Sequence, residues 1–68
     1  MMLFKYSILY GEPNQPAGIL EHVSGAVRAL DFPGALRRVL DYYNNYIITS
    51  VTLVAIDDII EANDIEEI

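Results

Sequence analysis

The chain contains no cysteine and a single histidine, His22. No disulfide can form, and a structural zinc site of the usual Cys/His kind cannot be assembled within one copy. Bases are scarce too: Lys5, Arg28, Arg37 and Arg38 are the whole complement. Up to Ile56 they balance Glu12, Glu21, Asp31 and Asp41. Beyond it no base follows, and Asp57, Asp58, Glu61, Asp64, Glu66 and Glu67 account for the entire formal charge of −6. A duplex-binding protein needs a basic face, so this distribution argues against direct nucleic-acid binding. Long apolar runs are also missing. The longest, around Tyr46 to Ile56, is interrupted by Thr49, Ser50 and Thr52; it falls short of the roughly 20 residues that cross a bilayer as a helix. The opening Met1-Met2-Leu3-Phe4-Lys5-Tyr6 does not supply the apolar core of a signal peptide, and with cysteine absent the cytoplasm is expected. There is no G-x-G-x-x-G, G-x-x-x-x-G-K, G-x-S-x-G or H-E-x-x-H. His22, alone, reads as an ordinary surface or interface residue, so neither an enzyme nor a bound cofactor is expected.

What is present is apolar. At 68 residues the chain makes one domain, and a chain of that size buries only about 60% of the surface its unfolded form exposes. Its hydrophobic content of 53% is more than so small a body easily hides. Without disulfide or zinc, a second copy is the remaining means of support, and a homodimer is the expectation.

Leu3 to Tyr10 alternates, with Phe4, Tyr6, Ile8 and Tyr10 on one face and Leu3, Lys5, Ser7 and Leu9 on the other, which reads as a strand. Gly11 to Gly18, with two prolines and two glycines, reads as a loop. Ile19 to Leu30 is double-valued. Ile19, Leu20, Val23, Ala26, Val27 and Leu30 have helical spacing, whereas Gly25 and the β-branched Val23 and Val27 suit a strand bulged at Ser24-Gly25. The strand reading gives ββαβ and the helix reading gives βααβ. A helix then runs from about Phe32 to Asn44: Asp31 is an N-cap, Pro33 lies in the first turn, and Ala35, Leu36, Val39, Leu40 and Tyr43 form the buried stripe. Asn44-Asn45, tolerant of left-handed backbone, should end it. Tyr46 to Ile56, apolar on both faces of the pleat for part of its length, reads as a well-buried strand. The expected fold is α+β: a mixed three-stranded sheet of order 2-1-3, the first strand antiparallel to both neighbours, with one packed helix. Residues 1–56 form the domain and 57–68 an acidic C-terminal segment.

The run Val27-x-Ala29-x-Asp31-x-x-x-Ala35-Leu36-x-x-Val39-x-x-Tyr42-Tyr43, followed by Ile48-x-x-Val51, resembles the ββαβ pattern of small accessory proteins encoded by bacteriophages and prophages. It covers about half the chain. The resemblance implies a short, acidic, often dimeric protein that binds and inhibits host or antiviral-defence machinery, and it transfers no site residues.

Asp57, Asp58, Glu61 and Asp64 can line one side of a helix, a spacing that would offer hard oxygen ligands to a cation, but the glycine of an EF-hand loop is missing. A solvated, solubilising acidic face explains them without a metal. A sharper reading is that they imitate a phosphate backbone and occupy the basic groove of a protein. Ile59, Ile60, Ile65 and Ile68 show that part of this segment should pack. Arg28, Arg37 and Arg38 suit either a nucleic-acid contact or a dock for acids of the tail or a partner, and the negative net charge favours the dock. Tyr42, Tyr43 and Tyr46 read as core and interface aromatics. The expected function is a non-enzymatic protein-binding module of inhibitor type, with Asp57, Asp58, Glu61, Asp64, Tyr42 and Tyr46 contacting a basic protein target. The alternative is a structural module acting through homo-oligomerisation.

Overall fold

A computed structural model describes residues 1–16, 18–56 and 65–68. Four elements follow in the order β1 (Met2–Gly11), β2 (Glu21–Ala29), α1 (Phe32–Tyr42) and β3 (Ile47–Ile56). β1 pairs antiparallel with both neighbours, giving the sheet order β2-β1-β3 and making β2 parallel to β3. This is the ββαβ arrangement that the alternation of β1 and the capping of α1 predict.

The alternation works because paired residues share a face. Phe4, Tyr6 and Ile8 of β1 pair with Val27, Gly25 and Val23 of β2 and with Ala55, Leu53 and Val51 of β3, and α1 lies over this face. Its core comprises Phe4, Tyr6, Ile8, Val27, Ala29, Ala35 and Val39. The opposite face mixes Lys5, Ser7, His22, Ser24, Arg28, Ser50 and Thr52 with Leu3, Leu9, Ala26, Val54 and Ile56, of which Leu3 and Ala26 are buried.

Within residues 19–30, Glu21–Ala29 form a strand, and Gly25 lies directly across from Tyr6. A Cβ at Gly25 would come within 2.5 Å of the Tyr6 hydroxyl and 2.8 Å of the Glu66 carbonyl oxygen, so the missing side chain is what admits both. The helical spacing there is fortuitous: Ile19, Leu20 and Leu30 fall outside β2 and are exposed. The bulge expected at Ser24-Gly25 is absent, since register with β1 is unbroken from Met2↔Ala29 to Tyr10↔Glu21. The irregularity lies instead on β3, where Leu9 pairs with Ser50 and Tyr10 with Ile48, leaving Thr49 extra. Its hydroxyl donates to the Leu9 carbonyl at 3.1 Å.

Asp31 caps α1, its carboxylate accepting from the Gly34 N–H at 2.8 Å, and Pro33 sits in the first turn where no N–H is required. The helix stops at Tyr42, two residues short of the expected end. Tyr43 leaves helical geometry at φ −103° and ψ 37°, and no non-glycine residue among those described adopts positive φ, so the asparagine pair does not act as a left-handed stop. A turn closed by Tyr46 N–H to the Tyr43 carbonyl, 3.2 Å, leads into β3.

Two burial expectations change. Leu36 and Leu40 are 38% and 39% exposed, leaving Ala35 and Val39 as the residues that α1 buries completely. β3 has no fully buried residue, because order β2-β1-β3 gives the central place to β1 and leaves β3 at an edge. The outer edge of β2 is treated differently. Ala26 N–H donates to the Glu66 carbonyl at 2.9 Å, and Ile68 N–H donates to the Ala26 carbonyl at 2.8 Å, so the last residues form a parallel bridge there. Ile68 packs against the core, and Arg28 Nε meets both carboxylate oxygens of Glu67 at 3.1 and 3.2 Å. No helix among the described residues is long and apolar enough to cross a membrane.

Candidate functional site

All five tyrosines of the chain, from three parts of the sequence, meet in one cluster. Tyr6 and Tyr10 stand on the helix-covered face of β1, separated by Ile8. Tyr42 and Tyr43 come from the C-terminal end of α1, and Tyr46 from the turn that follows. Ring centroids lie 5.7 Å apart for Tyr6–Tyr43, 4.9 Å for Tyr42–Tyr43, 6.2 Å for Tyr43–Tyr46 and 4.6 Å for Tyr10–Tyr46. All four pairs are tilted or edge-on, as the ring quadrupole favours. Tyr43 follows Val39 by four residues and so continues the inward stripe of α1, while Tyr42 remains outside.

The cluster runs from buried to exposed. Tyr6 is buried and its hydroxyl shares a hydrogen bond of 2.5 Å with that of Tyr43. Burial first, then that hydrogen bond and neighbouring negative charge, push the Tyr6 phenol far above its ordinary range. Withdrawal from water, followed by the fields of Glu21, Tyr46 and Glu12, raises Tyr10 as well. At the outer end Tyr42 is 64% exposed and Tyr46 37%. Beside Tyr6, Tyr42 and Tyr43 a cleft of about 120 Å³ is walled by Glu66 and Glu67. The aromatic patch therefore has carboxylates at both ends, Glu12 and Glu21 near Tyr10 and Glu66 and Glu67 near Tyr42.

Of the residues expected to contact a partner, Tyr42 and Tyr46 are brought into one patch through Tyr43. Asp57, Asp58, Glu61 and Asp64 lie outside the described residues. Tyr6 and Tyr10 were not expected at this site, although their shared strand face, the one α1 covers, carried the signal. His22 is on the opposite, exposed face, its Nε2 2.5 Å from the Ser7 hydroxyl. The arginines do not form one patch. Arg28 holds Glu67, and Arg38 donates to the Arg28 carbonyl at 3.0 Å. Arg37 instead borders a shallow groove of about 330 Å³ on the other side of α1, with Pro33, Leu36, Leu40 and Asp41. Among the described residues no group of three or more His, Cys, Asp or Glu side chains could hold a metal ion. The chain matches no family model, no curated protein and no solved structure.

Proposed function

We propose that this chain is a non-enzymatic protein-binding module, working in the cytoplasm, that engages a basic protein surface through its tyrosine cluster. The observation that carries the reading is the exposure of Tyr42 and Tyr46 in an aromatic cluster with carboxylates at both ends. Tyrosine gives a large contact area at small conformational cost and is enriched among residues that dominate interfaces. A lysine or arginine of the partner, laid across an exposed ring, gains about 0.5–2 kcal/mol from the ring face, depending on how far it is desolvated. Glu66, Glu12 and Glu21 set the sign of the field it enters, Glu67 being paired with Arg28. Asp57, Asp58, Glu61 and Asp64 add to the same negative charge, and an inhibitor of a host or defence protein, the role that the phage-type resemblance implies, would bind in this way.

The test compares wild type with Tyr42→Ala/Tyr46→Ala as immobilised baits over a salt series, after equal melting has been established. Wild type should retain a stoichiometric basic protein that the double variant releases, and retention should weaken as salt rises. Identical retention by both baits, or retention that strengthens with salt, would refute the tyrosine site.

A further inference from the structure

A second reading, independent of the tyrosines, concerns the free edge of the sheet. We infer that β3 is a dimerisation edge: a second copy pairs antiparallel with it about a two-fold axis at Thr52 and extends the sheet to six strands.

The two edges of this sheet are finished differently. The chain's own C-terminal residues cover β2 at Ala26. β3 pairs with β1 on one side, and among the described residues nothing pairs with the other. Free edges are normally protected by charge, proline or brevity. β3 has none of these: it is ten residues long, Ile-Ile-Thr-Ser-Val-Thr-Leu-Val-Ala-Ile, without a charge or a proline. Its bulge at Thr49 lies near one end, leaving Ser50–Ile56 regular. Ile47 and Val54 are more than half exposed.

Self-complementarity selects the axis. Directly paired residues must share a sheet face. A two-fold at Thr52 pairs Thr52 with itself and Val51 with Leu53 of the other copy, so the pairs nearest the axis set polar against polar outside and apolar against apolar beneath the helix, with Ser50 meeting Val54 beyond them. An axis at Val51 would instead set Leu53 against the bulged Thr49 next to the centre, and one at Leu53, although it pairs the whole regular stretch, would set Thr52 against Val54 beside the axis.

The flank of α1 above this edge agrees. Arg38 reaches Arg28 of β2, and Leu36 and Leu40, two residues to either side of it, project about 160° away at 3.6 residues per turn, toward β3. Their groove has one base and one acid on its border, Arg37 and Asp41. The two-fold that makes β3 antiparallel to its copy also makes the helices antiparallel, so the Leu36 and Leu40 flanks of the two copies face each other above the joined edge.

Because the chain has no cysteine, Thr52→Cys introduces its only thiol. Cross-strand neighbours on a two-fold lie about 4.5–5.5 Å apart between Cα atoms, within the span of a disulfide. Under mild oxidation Thr52→Cys should cross-link at least about tenfold faster than the loop control Asn14→Cys, the effective concentration being set by the dimer. Untagged wild type should sediment at twice 7.6 kDa. Thr52→Lys, an exposed position where two like charges would face each other, should sediment as a folded monomer. A wild-type monomer at about 100 µM, equal cross-linking of the two cysteine variants, or a Thr52→Lys dimer would each overturn the assignment, the first leaving the edge to an extended strand of another protein.

Discussion

Gly25→Ala isolates the contact on which both the core and the tail closure depend. The added Cβ would meet the Tyr6 hydroxyl at 2.5 Å, the Tyr6 Cζ at 2.8 Å and the Glu66 carbonyl at 2.8 Å. The Glu66 carbonyl is backbone and accepts from the Ala26 N–H at 2.9 Å, so it shifts only by giving up that bond. Tyr6 cannot yield: its ring is buried and its hydroxyl is tied to Tyr43. Overpacking of that kind costs about 1–3 kcal/mol. Against it stands the entropy that alanine removes from the unfolded chain, about 0.5–1 kcal/mol. The balance is a loss of about 1–2 kcal/mol, equivalent in a domain of this size to a fall in Tm of about 5–15 °C. Urea titration and calorimetry measure it, and amide exchange at Ala26 should accelerate as its bond to the Glu66 carbonyl is displaced. Tyr6→Phe supplies the control. It removes the nearest clashing atom, so the double variant should be at least about 0.5 kcal/mol more stable than the sum of the singles. A Gly25→Ala protein as stable as wild type, or additive single and double variants, would refute the view that Tyr6 dictates glycine at this position.

The helix face is tested by a pair of substitutions. Val39→Asp buries an unpaired charge at a fully enclosed site and should abolish cooperative melting, while Leu36→Asp, half exposed, should cost about 1–2 kcal/mol and leave a folded chain. Alkaline pH provides the third test. Tyr6 and Tyr10 are raised above the ordinary phenol value, so the folded state holds their protons more tightly; that stability is present below about pH 10 and is lost as pH rises toward the folded-state values. The urea midpoint should fall above about pH 10, and Tyr6→Phe should flatten the decline; a midpoint independent of pH up to about 11 would contradict the burial of the phenol.

Element types were legible wherever local chemistry and periodicity agreed. Phe4, Tyr6, Ile8 and Tyr10 marked the inner face of β1, and Asp31 with Pro33 marked the start of α1. The expected order 2-1-3 was found, and the misjudgement of β3 concerned its burial, which composition alone does not fix. β3 has the apolar composition of a central strand, yet β1, which carries Lys5 and Ser7, takes the centre because both hairpin and crossover must pair with it. Leu36 and Leu40 likewise belong to the apolar stripe of α1, but a three-stranded sheet is too narrow for one helix to bury so wide a stripe, and the flank over the β3 edge stays open.

The tyrosine cluster was half legible for a related reason. Tyr42 and Tyr46 are close in sequence, so their exposure beside a helix end could be anticipated. Tyr6 enters only through the crossover that lays the end of α1 over β1, and its place there depends on Gly25, a residue whose local signal pointed to a bulge. The same glycine gives the last residues of the chain room to approach β2, which brings Glu66 and Glu67 beside the rings. One absent side chain thus couples the aromatic stack to its carboxylate border. It follows that Gly25→Ala should weaken partner binding more than its stability loss alone requires, because the variant shifts Glu66 away from Tyr42 even in the fraction that remains folded. Affinity measured well below the variant's Tm, against wild type and Glu66→Gln/Glu67→Gln, decides this: if Gly25→Ala binds as wild type does while the glutamine pair does not, the carboxylates act without the register that Gly25 sets.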